Sequence, residues 1–320
     1  MSEGRDRGVV DALTAAIESV AGTRLLHRDV GRDANRTVFT MVGDPASVGL
    51  SAKRLAAACV ELIDLRGYRG THPYVGALDV CPFVALWGLP PERAADTALE
   101  VARYVGTELG VPTYLYEHSA TRPAYRSLAA VRRGGLAAVA RRAGGPDGAL
   151  GDGPDFGPAG LHPTAGACVV GARGLLVAFN VNLSPGAPVA LAREIAAAVR
   201  SAGARAVRPH RLPKLRAIGW YQEAFGCAQV SCNLLDYRVT GLGETYLAVR
   251  RLAHAAGYDV AGSELIGMVP AAALVAAQVA FGEATLNVEA AARRGAELLG
   301  LGAVRPFVFE ERVLGGWPPV

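Results

Sequence analysis

The sequence predicts an α+β protein of two similar subdomains, each a mainly antiparallel sheet with helices on one face. Three observations lead there. At 320 residues the chain exceeds the size that a single hydrophobic core usually serves. Each half alternates strand-like apolar segments with segments of helical spacing. Between the halves, Arg141 to Pro163 is dense in Gly, Pro and Asp, the composition of a linker or a long functional loop. The boundary is set after Gly166, giving subdomains 1–166 and 167–320.

In the first half, Val9, Val10, Leu13, Ile17 and Val20 recur at helical spacing, and Gly22 stops that helix. Strands are predicted for Thr23 to Asp29 and Arg36 to Val42, where Val, Thr and Phe are frequent. A helix carrying Val48, Ala52, Leu55, Cys59 and Leu62 on one face follows. Next come a strand from Leu78 to Leu86, a helix from Pro91 to Leu109 and a strand from Thr113 to Glu117. This order is one strand short of a split βαββαβ unit. The second half reads as strand 175–183, helix 188–201, strands 215–222 and 228–236, helix 244–256 and strand 258–266. That is a complete βαββαβ order, ferredoxin-like in type.

Composition narrows the function classes. The apolar run Val269 to Phe281 is too short to cross a bilayer, and no charged segment with an apolar core opens the chain. A cytoplasmic protein without membrane partners is expected. Asn35-Arg36-Thr37 and Asn182-Leu183-Ser184 are then chance sequons. Five cysteines, an odd count with no Cys-x-x-Cys pair, read as buried thiols in a reducing compartment, and no zinc-ligand spacing is present. The net charge of +4 is too small for a nucleic-acid partner, though it suits acidic small molecules. Arg132-Arg133 and Arg141-Arg142 read as solvated helix faces.

The chemistry concentrates in Gly70-Thr-His-Pro-Tyr-Val-Gly-Ala-Leu-Asp-Val-Cys-Pro-Phe83. It sets His72 in a glycine-bracketed loop that runs into an apolar strand, with Pro73 and Pro82 stiffening the backbone and Asp79 nearby. A side chain that titrates near neutrality, on a loop held by a rigid strand, is suited to proton transfer. A satisfied turn histidine is the alternative. No G-x-G-x-x-G follows a strand, and neither a Walker A sequence nor a Gly-x-Ser-x-Gly elbow is present. Dinucleotide, phosphoryl-transfer and serine-hydrolase chemistry therefore lack support. Asp29 and Arg36 flank one predicted turn, where the residues alone favour a surface hairpin salt bridge.

The His72 segment resembles the glutamate formimidoyltransferase family, the formiminotransferase part of the folate-dependent histidine-degradation enzyme. Similar in colinear order are Ser2-Glu3-Gly4-Arg5, Asp29 with Asn35-Arg36-Thr37, Asp155-Phe156-Gly157-Pro158 and Ala178-Phe179-Asn180-Val181-Asn182-Leu183. Ile218-Gly219-Trp220-Tyr221, Ala228-Gln229-Val230-Ser231, Asn233-Leu234-Leu235-Asp236, Gly262-Ser263, Gly267 and Val269-Pro270 follow.

The resemblance implies transfer of a formimidoyl group from N-formimidoyl-L-glutamate to N5 of tetrahydrofolate, which serves as co-substrate without a metal, and it implies a homodimer. It makes His72 the catalytic acid–base group and assigns Asp29 to amidinium or pterin NH groups and Arg36 to a substrate carboxylate. Asp79 either orients the loop or serves the strand. The segment Gly157-Pro158-Ala159-Gly160-Leu161-His162-Pro163-Thr164-Ala165-Gly166 matches the folate-binding loop, with His162 as a lining residue. As a linker it would bind nothing. Asn180, Asn182 and Asn233 are expected as buried strand residues. N-formylglutamate as donor, or a folate-binding protein without turnover, remain the alternatives. The family opens with a strand ending in Val-Pro-Asn, so Met1 is expected to sit where that strand ends, through a late start or the loss of an edge strand. The end near Trp317-Pro318-Pro319 is expected to leave no room for a cyclodeaminase domain.

Overall fold

The computed structural model describes residues 1–86, 88–144, 153–201 and 210–314. Residues 145–152, inside the expected linker, and Trp317-Pro318-Pro319 lie outside them. The chain divides into two compact units, Met1–Arg173 and Gly174–Val320. The division falls after 173 because the strand at 168–172, absent from the sequence reading, belongs to the first unit's sheet.

The first unit opens with α1 (Arg7–Glu18), whose first turn is capped by the Asp6 carboxylate accepting the Val9 N–H and whose Val10, Leu13 and Ile17 are buried. β1 (Thr23–Gly31) and β2 (Arg36–Gly43) form an antiparallel hairpin. Its turn uses Asn35 at φ 48°, a conformation asparagine tolerates better than most residues. α2 (Pro45–Leu62) begins with Asp44 accepting the Ala46 and Ser47 amides and with proline in its first turn. β3 (Asp79–Phe83), α3 (Pro91–Thr107), β4 (Thr113–Leu115), α4 (Leu128–Val131), α5 (Gly135–Ala143) and β5 (Cys168–Ala172) complete the unit.

The strands order β3-β5-β4, and both pairings are parallel. Every residue of β5 is buried. Cys168, Val170 and Ala172 join a core with Leu115 and with Val101 of α3, while Val169 packs in a separate cluster with Tyr114, Val131 and Val139. Here the structure departs from the expected antiparallel sheet with one helical face. A helical crossover between β3 and β4 makes those strands parallel, and the segment leading to β5 places α4 and α5 over the second face. The first residues are also not at an edge. Met1 exchanges backbone hydrogen bonds with Thr37 of β2, and the Ser2 N–H donates to Ala77 O at 2.8 Å.

The second unit contains β6 (Val177–Leu183), α6 (Val189–Val199), β7 (Leu215–Gln222), β8 (Cys227–Leu234), α7 (Leu242–Ala255), β9 (Val260–Ile266), α8 (Ala271–Ala280) and α9 (Val288–Leu298). Its sheet, β7-β8-β6-β9, is antiparallel throughout. Phe179, Val181, Val230, Leu234 and Leu265 form the apolar face against the helices. The opposite face carries a buried polar ladder. Trp220 Nε1 donates to Gln229 Oε1 at 2.7 Å, Gln229 Nε2 to Asn182 Oδ1 at 2.8 Å and Asn180 Nδ2 to Glu264 Oε2 at 3.2 Å. Asn180 and Asn182 are buried as expected, whereas Asn233 is exposed at the sheet's end. The sequence reading placed neither α8, which is apolar nearly all round and carries little helical periodicity, nor α9, whose buried face is built of small residues, Ala291, Ala292, Gly295 and Ala296.

α8 and α9 meet at Gly295, where an added Cβ would lie 2.0 Å from Leu274 O. Replacing a mid-helix glycine by alanine gains about 1 kcal/mol of propensity. A clash against backbone oxygen outweighs that, since overpacking typically costs about 1–3 kcal/mol. Gly295→Ala is therefore predicted to lower the unfolding midpoint in urea, while Gly174→Ala, with nothing within 4 Å of the added carbon, leaves it unchanged. Equal midpoints for the two variants would show that the helix contact is looser than described.

Candidate functional site

The two loops singled out by the sequence are stitched together in the first unit. The Ala77 N–H donates to Ala165 O at 2.9 Å, the Ala167 N–H to Val75 O at 2.8 Å, and Gly76 faces Gly166 in an antiparallel bridge. A Cβ at Gly76 would fall 1.6 Å from Ala167 O, so only glycine allows this approach. The segment 157–166 is thus anchored to the histidine loop. Its buried end, Ala165 and Gly166, anchors it, while Gly157, Pro158 and Ala159 are exposed. Between them His162 closes a tight turn, its backbone exchanging hydrogen bonds with Gly166 and its Nδ1 accepting the Ala165 N–H at 3.0 Å. That nitrogen is occupied with backbone. Leu161 lies beside this turn, and the Thr164 carbonyl, following Pro163, accepts the Leu65 N–H at 2.9 Å. Gly160 adopts φ 91° and bonds back to Ala143 O.

Asp79 is the electrostatic centre. It is wholly buried, opens β3 and adopts φ 61°, an uncommon conformation for a residue with a side chain. Its Oδ1 accepts the Val75 N–H at 2.8 Å, which fixes the path of the His72 loop. Its Oδ2 meets Arg36 Nη1 at 2.5 Å and also pairs with Arg132 Nη2. Burial opposes ionisation of Asp79. Arg36 and then Arg132, with the Met1 amine and the Val75 amide, override it and hold the carboxyl below the usual carboxylate range. Arg36 is thus held in a largely buried network and is neither a surface hairpin pair nor turned wholly toward solvent. Arg132, read from sequence as part of a solvated face, is a member of the site. The one sequence signal for the network was a carboxylate opening an otherwise apolar strand. Nothing in the arginine pair at 132–133 distinguished it.

His72 is half-buried, and its Nδ1 lies 2.7 Å from Pro73 O. A carbonyl only accepts, so Nδ1 carries the proton of the neutral ring and Nε2 is the basic nitrogen. Enclosure of the ring, then the guanidinium charges of Arg36 and Arg132, push its pKa down to about 3, with Asp79 opposing. The ring keeps some solvent contact, which tempers the first effect and leaves repulsion by the arginines as the specific one. Arg36 Nη1 also reaches Pro73 O at 3.4 Å.

Asp29 is buried on β1, opposite Val38, as Gly31 is opposite Arg36. Cross-strand partners share a face, so Asp29 and Arg36 belong to the same hairpin face. Asp29 Oδ2 lies 3.9 Å from His27 Nε2. Ser2, quoted from sequence only as part of a motif, is fully buried with Oγ donating to Gly76 O at 2.7 Å. Among the described residues no group of three or more His, Cys, Asp or Glu side chains could hold a metal, and no helix is long and apolar enough to cross a membrane.

The pH dependence of stability follows from His72. An unfolded histidine protonates near pH 6.5, but folded His72 resists to about pH 3, so the unfolded state binds more protons across that window. The His72 contribution to stability is therefore full above pH 6.5 and falls as pH drops below it. Asp79 adds a loss only at lower pH, below the ordinary carboxylate pKa of about 3.9. Between pH 7.5 and 5 the urea midpoint of the wild-type protein is predicted to fall further than that of His72→Gln. Parallel falls in both proteins would mean that His72 titrates as an ordinary surface histidine.

Comparison with known proteins gives the family. Residues 1–173 match the model of the formiminotransferase domain, N-terminal subdomain, and residues 178–315 match that of the formiminotransferase domain. A formimidoyltransferase-cyclodeaminase of Rattus norvegicus is 38% identical over 317 residues, 98% of this chain and 58% of the relative. The chain thus spans little more than half the length of such relatives. A glutamate formimidoyltransferase of Streptococcus pyogenes serotype M1 is 38% identical over 274 residues, covering 86% of this chain and 88% of the relative. One from Thermoplasma acidophilum is 34% identical, with 86% and 87% covered. With both units matched in order and relatives above 30% identity covering most of the sequence, this chain belongs to the formiminotransferase domain family.

Proposed function

We propose that this protein is a glutamate formimidoyltransferase, moving the formimidoyl group of N-formimidoyl-L-glutamate to N5 of tetrahydrofolate and releasing L-glutamate, as a step of histidine degradation. The observation that carries this reading is the bridge from Gly76 to Gly166, which joins the histidine loop to the glycine-rich loop. A relative of similar length carries the same activity in its name. Tetrahydrofolate is a co-substrate here, held by the segment 157–166. The work is placed in the cytoplasm and in a homodimer, and the second unit is read as a ferredoxin-like βαββαβ element, for which its strand order β7-β8-β6-β9 is the support.

In this reading N5 attacks the amidine carbon and a tetrahedral intermediate forms. His72 Nε2 takes the proton leaving N5 and returns it to the glutamate nitrogen, so the amine departs neutral while the C–N bond to it breaks. One ring thus serves as base and then as acid. Asp29 receives NH groups of the amidinium or pterin, and Arg36 faces a substrate carboxylate. The loops held by Gly76 and Asp79 keep the reactants aligned, which reduces the entropic part of the barrier.

The test supplies N-formimidoyl-L-glutamate or N-formyl-L-glutamate with tetrahydrofolate and follows folate product. Product only from the formimidoyl donor is expected; product only from the formyl donor would refute the assignment. His72→Ala is predicted to lower kcat about a hundredfold to ten-thousandfold while tetrahydrofolate still binds. Turnover near the wild-type rate would remove His72 from the chemistry.

A further inference from the structure

Two guanidiniums converge on one oxygen of Asp79, from different parts of the chain. Arg36 opens β2, and Arg132 directly follows α4. A single carboxylate cannot satisfy two forks that carry five N–H donors each. Arg132 Nε is buried and has no hydrogen-bond partner among the described residues. Yet the Arg36 and Arg132 side chains are not sealed off, remaining 13% and 15% exposed. A buried cation with an idle donor is costly unless an anion completes it, and the edge of a guanidinium fits a carboxylate with two parallel hydrogen bonds.

We infer that Arg132, together with Arg36, forms a paired-guanidinium seat for a carboxylate of the acidic donor, with Asp79 holding the two like charges side by side. This rests on the reading of the site as one that takes a glutamate derivative, and it adds a binding residue that the sequence placed on a solvated face. The seat adjoins the catalytic ring, so it has a second consequence. The charged groups acting on His72 are Arg36 from β2, Arg132 after α4 and Asp79 from β3. The Met1 amine nearby is pushed down to about 5, by burial first and Arg36 second, and is neutral at pH 7. A ligand carboxylate on the arginines cancels positive charge beside the ring and makes Nε2 more basic. Binding of the acidic substrate thereby prepares its own proton acceptor.

The experiment titrates L-glutamate and 6-methyltetrahydropterin, which has no carboxylate, into the full chain and into Arg132→Gln and Arg132→Lys, with the His72 ring followed by NMR. Arg132→Gln is expected to weaken L-glutamate at least tenfold and the pterin less than twofold, in keeping with loss of a charge-assisted pair. Arg132→Lys, which keeps the charge without the fork, is expected to fall between and serves as the test should the glutamine variant not fold. L-glutamate should raise the His72 pKa in the wild-type protein and much less in Arg132→Gln. Unchanged L-glutamate affinity in both variants, or no L-glutamate binding by the wild-type protein, overturns the seat. A wild-type protein that binds L-glutamate through Arg132 but transfers no formimidoyl group refutes the activity and leaves the seat standing.

Discussion

The first unit depends on one carboxylate kept out of water. Asp79 sits at the start of β3 in a strained backbone conformation, bonded to the Val75 amide and to arginines from β2 and from the end of α4. Removing one partner from such a buried group typically costs about 3–5 kcal/mol, because the charge left behind has no water to solvate it. The hairpin, the loop ahead of β3 and the α4 region are therefore tied at one carboxylate. That tie explains how a residue-rich loop such as Gly70 to Leu78 holds a defined path without regular secondary structure.

Glycine completes what charge begins. The close approach of the histidine loop to the segment ending at Gly166 leaves no room for a side chain at Gly76, and Gly4 is also tight against Gly31 and Arg36. Ser2 and Thr37 then satisfy carbonyls that this crowding would otherwise strand, those of Gly76 and Glu3. A tightly packed, hydrogen-bonded floor thus lies under a partly exposed imidazole. The same arginines that fix Asp79 keep His72 neutral, so stabilisation of the fold and the charge state of the ring have a common source.

Much of the second unit was legible because its sheet has one apolar and one polar face, although both are largely buried. Val177 to Leu183 and Cys227 to Leu234 alternate, and the predicted order of six elements follows the observed one. The first unit was harder. β5 is buried throughout and lies beyond the glycine-rich stretch, so its short apolar run carries no period and was missed. Parallel pairing of β3, β5 and β4 involves residues far apart in sequence, which local patterning cannot reveal. At the site, His72 and the loop at 157–166 were visible through motif and resemblance. Asp79 was seen but not weighted, and Arg132 was misread, because an arginine that ends a short helix looks alike in sequence whether it meets water or a buried carboxylate.

If Asp79 serves the reaction by positioning and tuning His72, the two residues act as one unit. The most direct test is a double-mutant cycle on kcat/KM for formimidoyl transfer, using His72→Gln, Asp79→Asn and the double variant, each checked for folding. The expected result is strong non-additivity, with the double variant no slower than His72→Gln alone. Losses that multiply would contradict the account, placing the buried carboxylate and the histidine in independent roles.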